Sequence, residues 1–554
     1  MCAPLPRDGP LLELDPVDPN PEWDYLVLTA SNASQARAYE AQIRLRRQAG
    51  LLSRVRQVMV SADPGGRRVG SGGATLLALE RILLREANAA SNAESVMRRL
   101  RILIVHAGGD SMRLPAYGPC GKIFVPIPSR GGEPLPSALF DRLLPSFLDL
   151  PAPPSNQGQV VVAAGDALLL WDAAGLSLER GGITLLGAEA TPLEASRHGV
   201  CCIGPEGAFS LYLQKPSVEQ QQRSGAIGPN GASVLDIGVM SMDAAAAVAL
   251  LRAFGSQPGQ GVPFGLASQA PLWAARGGLD LYREICCALG SQTSLDHYVR
   301  SVRSSGSRWP ADELARLFPV LRAIPACVQV LPRCRFLHFG STRQLIASGL
   351  ALVELDSGAV PHDTILSINN TFGPAGLIRG ERSWVEGCRI DAPLELSVGN
   401  VVVGVDADSP LRLPPGACLD VLAGAGRNGG ALWFVRPYGV GDAFKDPASQ
   451  GASFCGMPLL EWIAAVGLRP EDVWDAEYRK AQRTLWNARV FPAESSPAAF
   501  RRWLWMYHPA AATAEQKQQY RHADRYSPAE IAWLADQEAW LRRRMENWSR
   551  LRRA

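Results

Sequence analysis

Short apolar runs alternate with helix-like stretches over the first three-fifths of the chain. The runs typical of buried strands are DYLVLTAS at 24–31, VRQVMVSADP at 55–64, RILIVHAGG at 101–109 and QVVVAAGDALL at 159–169. Helical patterns fill much of the intervals between them. Alternation of this kind predicts an open α/β sheet with substantial parallel pairing, extending to about residue 325.

The pattern changes beyond residue 334. Residues 385–422 form a series of very short apolar strands, separated by small or turn residues at spacings near six or its multiples. This favours a parallel β-helix of few coils, and an ordinary small antiparallel domain is the alternative. Residues 528–554 have the Trp and Leu spacing of one amphipathic helix, which needs a surface on its own chain or on a second copy.

These patterns divide the chain into four regions. We expect a flexible, Pro-rich arm at 1–20, an α/β domain at 21–325, a β-helix-like domain at 326–445 and a helical region at 446–554. The predicted fold class is therefore α/β, followed by an all-β domain and a C-terminal helical segment.

Composition limits the classes of partner. The net charge is only +3 for 554 residues, which argues against nucleic acid or a membrane surface as partner. The sequence has no apolar window of about 18 residues and no secretory signal at its start. The eleven cysteines include no C-x-x-C pair, which favours free thiols over disulfides or zinc. We therefore expect a cytoplasmic protein with no nucleic-acid or membrane partner.

Lysine is rare in this chain. Of the 56 basic residues, the lysines are those at 122, 215, 445, 480 and 517. A chain that uses Arg at most positions can retain Lys where a compact ammonium group is required. Because Lys122 and Lys215 lie in tight or apolar surroundings, they are the leading functional candidates.

The segment HAGGDSMRLPAYGPCGK, residues 106–122, has the composition of an anion-binding loop. Gly108 and Gly109 let the backbone approach a ligand, and their N–H groups can point at phosphate oxygens. Arg113 supplies a fork of donors, and Lys122 supplies a point charge. A tight strand–helix turn with a surface arginine is the structural alternative.

Two well-known phosphate loops do not fit this sequence. A P-loop ends in Gly-Lys-Ser/Thr, whereas Ile123 follows Lys122 here. The Rossmann fingerprint fails in VGSGGAT, at 69–75, because Thr75 occupies the position of the third glycine. The loop at 106–122 is therefore a phosphate-binding loop of another kind.

The loop resembles the signature of nucleotide-sugar pyrophosphorylases, in which two glycines, an Arg-Leu pair and a downstream lysine hold a nucleoside triphosphate. More closely, the chain resembles the fucose-1-phosphate guanylyltransferases and the matching half of bifunctional fucokinase/GDP-fucose pyrophosphorylases. The resemblance is carried by VGSGGATL, HAGGDSMRLP, GKIFVPIP, AAGDALL, RHGV, LQKPS, LDIGVMSMD, LHFGST, RPYGVGDAFK and LWNARVFP. It implies a Rossmann-like nucleotidyltransferase mixed sheet. The glycine-rich loop of the sugar-kinase half is not found in the sequence.

The resemblance implies that a sugar-1-phosphate oxygen attacks the α-phosphorus of a nucleoside triphosphate and that pyrophosphate leaves. Arg113 and Lys122 would then act by positioning and electrostatics, with Mg²⁺ bridging phosphates. Mg²⁺ needs hard oxygen ligands and keeps several waters, so one or two carboxylates suffice. Asp166 matches the metal aspartate of the family, with a helix N-cap as the alternative. Asp236 is the candidate second ligand, with a structural role as the alternative.

The remaining site candidates are also assigned by resemblance. Lys215 matches the lysine that faces the sugar phosphate, with a simple surface charge as the alternative, and the scarcity of lysine favours the functional role. His198 and Gly199 are expected on a sugar-facing loop. Further substrate contacts are expected at Gly70, Gly72, Gly73, Thr75, Gly108, Gly109 and Gly165. Packing or interdomain roles are expected for His338, Arg436, Tyr438 and Lys445.

The sequence thus predicts a cytoplasmic enzyme that makes GDP-fucose and pyrophosphate from GTP and L-fucose-1-phosphate with Mg²⁺. One alternative keeps the reaction but uses another nucleoside triphosphate or sugar-1-phosphate, such as a heptose-1-phosphate. A second alternative is a non-catalytic nucleotide-sugar-binding subunit of a sugar kinase. Expected partners are the two substrates, a separate sugar kinase upstream in the pathway, and a second copy of the chain bound through the C-terminal domains.

Overall fold

The computed structural model describes residues 21–87, 92–154, 156–171, 175–204, 208–256 and 263–553. The predicted arm at 1–20 lies outside these residues. The described chain divides into two compact units. Unit 1 comprises the described residues up to Gly108, Leu143–Gly165 and Leu169–Phe336; unit 2 comprises Gly109–Arg142, Asp166–Leu168 and the described residues from Leu337 onward.

Strands and helices are interspersed over the first 338 residues. The strands are β1 (Trp23–Ala30), β2 (Val55–Ala62), β3 (Arg101–His106), β4 (Gln159–Ala164), β5 (Ala167–Trp171), β6 (Ile183–Ala190), β7 (Gly199–Ile203), β8 (Phe209–Gln214), β9 (Ser233–Met242), β10 (Ala326–Leu331) and β11 (Cys334–His338). The helices are α1 (Ala33–Gln48), α2 (Gly70–Glu86), α3 (Ala93–Met97), α4 (Leu139–Leu148), α5 (Pro192–Ala195), α6 (Val218–Arg223), α7 (Ala244–Phe254), α8 (Leu266–Ala275), α9 (Cys287–Leu289), α10 (Leu295–Ser304) and α11 (Ala311–Arg322).

Unit 1 is built on a mixed sheet with the strand order β10-β6-β9-β4-β3-β1-β2, and β7 pairs with β8 and β9. The pairs β1–β2, β1–β3, β3–β4 and β6–β10 are parallel, whereas β9 runs antiparallel to β4 and β6. The prediction of a mixed α/β sheet is confirmed. The sheet continues to Leu331 in β10, past the boundary expected at residue 325.

The centre of this sheet is apolar on both faces. Strand β3 buries Ile102 to Val105 without alternation, as expected for a central strand that helices cover on both sides. Helix α2 contributes Leu76, Leu79 and Leu83 to the same core. Because β1, β3 and β4 are parallel, their carboxyl ends meet at one edge, where ligands of such sheets bind.

Most of the later strands are shorter than those of unit 1. The strands are β12 (Leu366–Ile368), β13 (Thr371–Phe372), β14 (Leu377–Glu381), β15 (Trp384–Glu386), β16 (Arg389–Ile390), β17 (Pro393–Val398), β18 (Val401–Val403), β19 (Asp406–Ala407), β20 (Leu411–Arg412), β21 (Ala417–Ala425), β22 (Ala431–Gly439), β23 (Ser453–Phe454), β24 (Met457–Pro458), β25 (Phe491–Glu494) and β26 (Arg525–Tyr526). The helices are α12 (Thr342–Ser357), α13 (Leu459–Ala465), α14 (Ala514–His522), α15 (Pro528–Leu534) and α16 (Gln537–Leu551).

Unit 2 contains three parallel ladders, β12-β15-β18-β21, β13-β16-β19 and β14-β17-β20. In the first ladder, paired positions recur at residues 366, 384, 401 and 418. The turns between the short strands use glycines with positive φ, at Gly387, Gly399, Gly404 and Gly416. Positive φ costs glycine little, so these residues let the chain turn between one strand and the next.

The C-terminal segment predicted as one helix is two helices, α15 and α16. Between them, Ala535 forms a β-bridge with Gly424, and the N–H of Asp536 donates to the carbonyl oxygen of Ala423. The side chain of Asp536 accepts the N–H of Ala539 and caps α16. The expectation of one continuous helix is wrong because the backbone is extended where it pairs with β21.

Helix α16 packs on the ladders of its own unit. Nδ2 of Asn547 donates to the carbonyl oxygens of Asn369 and Cys388, and Nδ2 of Asn369 donates to the carbonyl oxygen of Arg544. Arg544 and Asn547 are buried. Of the two surfaces predicted for this helix, the structure therefore shows the one on its own chain.

The described residues contain no helix that is long and apolar enough to cross a membrane. Their cysteines are free thiols, and most are buried.

Candidate active site

The loop after β3 adopts backbone conformations that most residues avoid. Gly109 and Gly121 have φ values of 154° and 68°, in the region that favours glycine. Ser111 has a φ of 52°, and its carbonyl oxygen accepts the N–H of Leu114 at 2.7 Å, which closes a turn. Strained backbone persists only where surrounding contacts impose it, and it is frequent at functional sites.

Unit 2 brings the predicted residues Lys122 and Asp166 together. Nζ of Lys122 lies 3.6 Å from Oδ2 of Asp166. A Cβ atom added at Gly340 would lie 3.7 Å from Lys122 Nζ, Asp166 Oδ2 and Gln344 Oε1 alike. Gly340 thus leaves a space on which an ammonium, a carboxylate and an amide oxygen converge. The Asp166 side chain is 47% exposed, so it can accept a ligand.

Gly340 and Gln344 were not predicted as site residues. Both lie at the start of α12, where the N–H of Thr342 donates to the carbonyl oxygen of Arg113 at 2.9 Å. The start of the helix therefore fixes the backbone of the arginine that is predicted to bind phosphate. The segment LHFGST did contain the signal of a helix start, Ser before a helical run, but it was expected only to pack.

The charges of Asp166 and Arg113 both act on the imidazole of His338. Burial lowers the pKa of His338, Asp166 raises it, and Arg113 lowers it. Both charges therefore act on one imidazole within unit 2. We refer to Arg113, Lys122, Asp166, His338 and Gln344 as the Lys122 cluster.

At the carboxyl edge of the sheet in unit 1, two predicted glycine contacts are engaged within the protein. A Cβ atom added at Gly108 would lie 3.4 Å from the carbonyl carbon of Ala30. The N–H of Gly108 points to Oγ1 of Thr29 at 3.4 Å, and the N–H of Gly165 donates to the carbonyl oxygen of His106 at 3.0 Å. The N–H groups of both glycines are thus directed at acceptors within the protein, and the ligand contacts expected of them stay predictions.

His106 joins two buried hydroxyl groups at the end of β3, a feature that sequence reasoning missed. Its Nδ1 lies 3.4 Å from Oγ1 of Thr29, and its Nε2 lies 3.0 Å from Oγ1 of Thr75. Burial lowers the pKa of His106 to about 4, so the imidazole is neutral near pH 7. Thr75 is fully buried, and its hydroxyl lies against this ring; its predicted ligand contact stays a prediction.

The glycines before Thr75 pack on the backbone of Leu279. The N–H groups of Gly72 and Gly73 donate to its carbonyl oxygen at 2.8 and 3.2 Å. Gly70 has a φ of 82°, and an added Cβ would collide with the same carbonyl group. The N–H groups of Gly72 and Gly73 at the start of α2 therefore donate within the protein, and the substrate contacts expected of these glycines stay predictions.

Asp236, the second predicted metal ligand, is enclosed by protein donors. The hydroxyl of Tyr212 donates to its Oδ2 and the N–H of Gly238 to its Oδ1, each at 2.7 Å. Burial raises the pKa of Asp236 to about 6, although both hydrogen bonds lower it. A Cβ atom added at Gly199 would overlap the Tyr212 hydroxyl. The geometry thus gives Asp236 a structural role, and Gly199 makes room for the tyrosine.

The other two predicted contacts, His198 and Lys215, are neighbours in the β7–β8 hairpin. The N–H of Lys215 donates to the carbonyl oxygen of His198 at 3.1 Å. Lys215 is exposed and has a φ of 48°, which is uncommon for a residue with a side chain. The ring of His198 lies beside Phe336, with centroids 5.6 Å apart. An exposed lysine on strained backbone suits the ligand contact predicted for it.

The donor groups present fit one metal ligand, Asp166. Among the described residues, no three His, Cys, Asp or Glu side chains form a group that could hold a metal ion. Mg²⁺ does not need such a group, because one or two carboxylates hold it together with substrate phosphates and water. The half-exposed carboxylate of Asp166 meets this requirement, whereas both oxygens of the buried Asp236 already accept hydrogen bonds.

A model of the fucose pyrophosphorylase domain matches residues 94–496, which include the loop and the Lys122 cluster. The chain belongs to the fucose pyrophosphorylase family. The family resemblance seen in the sequence is therefore confirmed.

Relatives of this family member include single and fused proteins. It is 27% identical over 523 residues to a bifunctional fucokinase/GDP-fucose pyrophosphorylase of Arabidopsis thaliana, covering 85% of this chain and 47% of that protein. It is 25% identical over 429 residues to an L-fucokinase/L-fucose-1-P guanylyltransferase of Bacteroides fragilis, covering 74% and 41%. It is 24% identical over 537 residues to a fucose-1-phosphate guanylyltransferase of Mus musculus, covering 87% and 85%. The chain thus spans less than half the length of the two bifunctional relatives.

Proposed function

We propose that this chain transfers a guanylyl group from GTP to L-fucose-1-phosphate and releases pyrophosphate. The observation that carries the proposal is the convergence of Lys122, Asp166 and Gln344 on the space at Gly340. It lies within the segment that matches the fucose pyrophosphorylase model. The names of the relatives support the choice of GTP and fucose-1-phosphate.

In this reaction a phosphate oxygen of the sugar-1-phosphate forms a bond to the α-phosphorus of GTP. The bond between that phosphorus and the oxygen that bridges to the β-phosphorus breaks, and its electron pair leaves with pyrophosphate. Negative charge therefore develops on phosphoryl oxygens and on the leaving group. Fixed cations and hydrogen-bond donors at those atoms lower the barrier.

The Lys122 cluster supplies such groups. Arg113 offers a planar fork of donors that matches two phosphate oxygens, and the ammonium group of Lys122 neutralises the leaving pyrophosphate. The Lys122 side chain is mostly buried, so water screens its charge less than it would at the surface. Mg²⁺, when bound, supplies further stabilisation of phosphate oxygens, and Asp166 would hold it.

On the sugar side, we assign Lys215 to the phosphate of the sugar and His198 to a sugar hydroxyl. The support is their shared hairpin, where a direct backbone hydrogen bond fixes their relative position. The acceptor is already phosphorylated, so a reaction that makes a sugar-1-phosphate must come first, and a sugar kinase catalyses a reaction of that class. The fusion of fucokinase with pyrophosphorylase in two relatives is consistent with that order.

We also propose that the three parallel ladders of unit 2 are the faces of a short parallel β-helix. Their strands follow one another in a fixed order, and paired positions recur at a nearly constant interval. The glycine turns at 387, 399, 404 and 416 support the same reading, because each ends one face and starts the next.

The test of the proposed function is pyrophosphate release with Mg²⁺, for four nucleoside triphosphates against a panel of sugar-1-phosphates that includes L-fucose-1-phosphate. We expect the highest kcat/KM for GTP with L-fucose-1-phosphate. A different preferred pair would keep the chemistry and replace the substrates. Binding of a nucleotide sugar without turnover of any pair would support a non-catalytic subunit instead.

A further inference from the structure

The loop that carries Arg113 and Lys122 is held by the later part of unit 2 through hydrogen bonds at three of its residues, Arg113, Pro115 and Tyr117. The first, from Thr342 to the carbonyl oxygen of Arg113, belongs to the start of α12. The second runs from a guanidinium N–H of Arg436 to the carbonyl oxygen of Pro115, at 2.9 Å. The third runs from Nε1 of Trp384 to the hydroxyl of Tyr117, at 2.7 Å.

Arg436 is the charged member of this set, and it is buried. It lies on β22 directly across from Asp420 on β21, and its Nε donates to Oδ1 of Asp420 at 2.6 Å. Both side chains are 3% exposed. The planar guanidinium binds Asp420 with one edge and Pro115 with another N–H, a geometry that the single ammonium group of lysine does not reproduce.

A buried ion pair of this kind is weak support for stability, because desolvation of both charges offsets their attraction. What the ion pair does here is fix the orientation of the Arg436 guanidinium group, so that its N–H points at the carbonyl oxygen of Pro115. The loop between Ser111 and Gly121 contains strained backbone and only short helical turns. Pro115 lies two residues after Arg113 and seven before Lys122, so a hydrogen bond to its carbonyl oxygen fixes the loop between the two cations.

We propose that Arg436, fixed by Asp420, is a positioning residue that sets the backbone of the 111–122 loop so that Arg113 and Lys122 meet the reacting phosphates. The inference rests on the proposed function and assigns an indirect part in it to a residue of the all-β region. A misplacement of about 1 Å at a catalytic group costs on the order of a hundredfold in rate.

The test compares Arg436→Lys with Arg544→Lys. Arg544 is a matched control because it is equally buried and paired with a buried carboxylate, Glu386, while its other hydrogen bond goes to Trp540 on its own helix. Both variants keep the positive charge. We expect Arg436→Lys to lower kcat by about tenfold to a hundredfold with each KM within about threefold. The kcat of Arg544→Lys should stay within about twofold of the wild-type value.

A double-mutant cycle separates positioning from general loss of structure. If Arg436 acts through Lys122, Arg436→Lys should lower kcat by less than about threefold when Lys122→Ala is already present. The reason is that the effects of groups that act as a unit are not additive. An equal fold-loss in both backgrounds would overturn the proposal. So would wild-type kcat in Arg436→Lys.

Amide hydrogen exchange provides a readout that does not need turnover. Arg436→Lys should raise exchange at residues 111–125, where Leu114, Tyr117 and Phe124 donate local backbone hydrogen bonds, and Arg544→Lys should not. Unchanged exchange in that segment would contradict the anchoring itself. Absence of transfer by the wild type would instead refute the proposed function and leave the exchange result to decide the anchoring.

Discussion

The hydroxyl of Tyr212 donates a 2.7 Å hydrogen bond to Oδ2 of Asp236, in a fully buried pair. Burial raises the pKa of Asp236 from 3.8 to about 6. Between these two values the folded protein binds a proton that the unfolded chain has released. The folded state therefore loses stability as the pH rises through this window.

Replacement of Asp236 by Asn should remove this pH dependence. Relative to Asp236→Asn, the wild type should lose about 2 kcal/mol of unfolding free energy between pH 4 and pH 7. Urea unfolding of both proteins at a series of pH values measures the difference. A difference that does not change with pH would show that the carboxyl is not perturbed by burial.

His106 should respond to pH in the opposite direction. Its pKa is lowered from 6.5 to about 4, so the unfolded chain takes up a proton first as the pH falls. Compared with His106→Gln, the wild type should lose about 2 kcal/mol of stability from pH 7 to pH 5. Urea unfolding at the two pH values provides the measurement, and parallel losses in both proteins would contradict it.

Gly199→Ala should destabilise unit 1, because the new Cβ would overlap the hydroxyl of Tyr212. We expect a loss of about 1–3 kcal/mol in urea unfolding. Gly204→Ala is the control at the other end of β7, where the added Cβ would make only an ordinary contact, 3.5 Å from Ala208. Equal losses of stability in the two variants would show that overlap with the Tyr212 hydroxyl does not cause the destabilisation.

Asp166→Asn should reduce turnover by more than about a hundredfold, because it removes the carboxylate that we assign to Mg²⁺. The fold should be retained, since the side chain is half exposed and the amide is isosteric. The dissociation constant for GTP, measured by calorimetry without metal, should stay within about threefold of the wild-type value. Undiminished turnover would refute the assignment of Asp166.

Gly340 allows a graded test of the space within the Lys122 cluster. The Cβ of Gly340→Ala meets its three polar neighbours at ordinary contact distance, so this variant should retain most activity. Gly340→Val extends into the space and should lower kcat/KM by about tenfold or more, with a melting temperature close to that of the alanine variant. Steady-state kinetics and thermal unfolding decide it. Equal activity of both variants would show that no substrate group occupies this space.

Much of the sheet could be predicted because each strand can be recognised from the pattern of its own few residues. The run ILIV in β3 has no alternation and is followed by two glycines, so a buried parallel strand with a loop at its carboxyl end follows from the sequence alone. The bridge between Ala535 and Gly424 could not be foreseen, because it depends on residues more than a hundred positions apart. For this reason the segment 528–554 was predicted as one helix, whereas the structure has two, α15 and α16.

The site shows the same division between local and distant information. The pair Lys122 and Asp166 was found through lysine scarcity and family resemblance, and the structure brings the two together. The glycines at 72, 73 and 199 have close neighbours within the protein. A Cβ atom would crowd Leu279 at position 72, Trp273 and Val69 at position 73, and Tyr212 at position 199. A sequence shows that a glycine is present but not which atom approaches it.

The most direct test of guanylyl transfer follows the α-phosphate of GTP. The protein is incubated with Mg²⁺, L-fucose-1-phosphate and GTP labelled at the α-phosphorus, and the products are separated. We expect the label to appear in GDP-fucose, with one unlabelled pyrophosphate released for each molecule formed. Label that remains in GTP, although the protein binds both substrates, would contradict the assignment of guanylyl transfer to this chain.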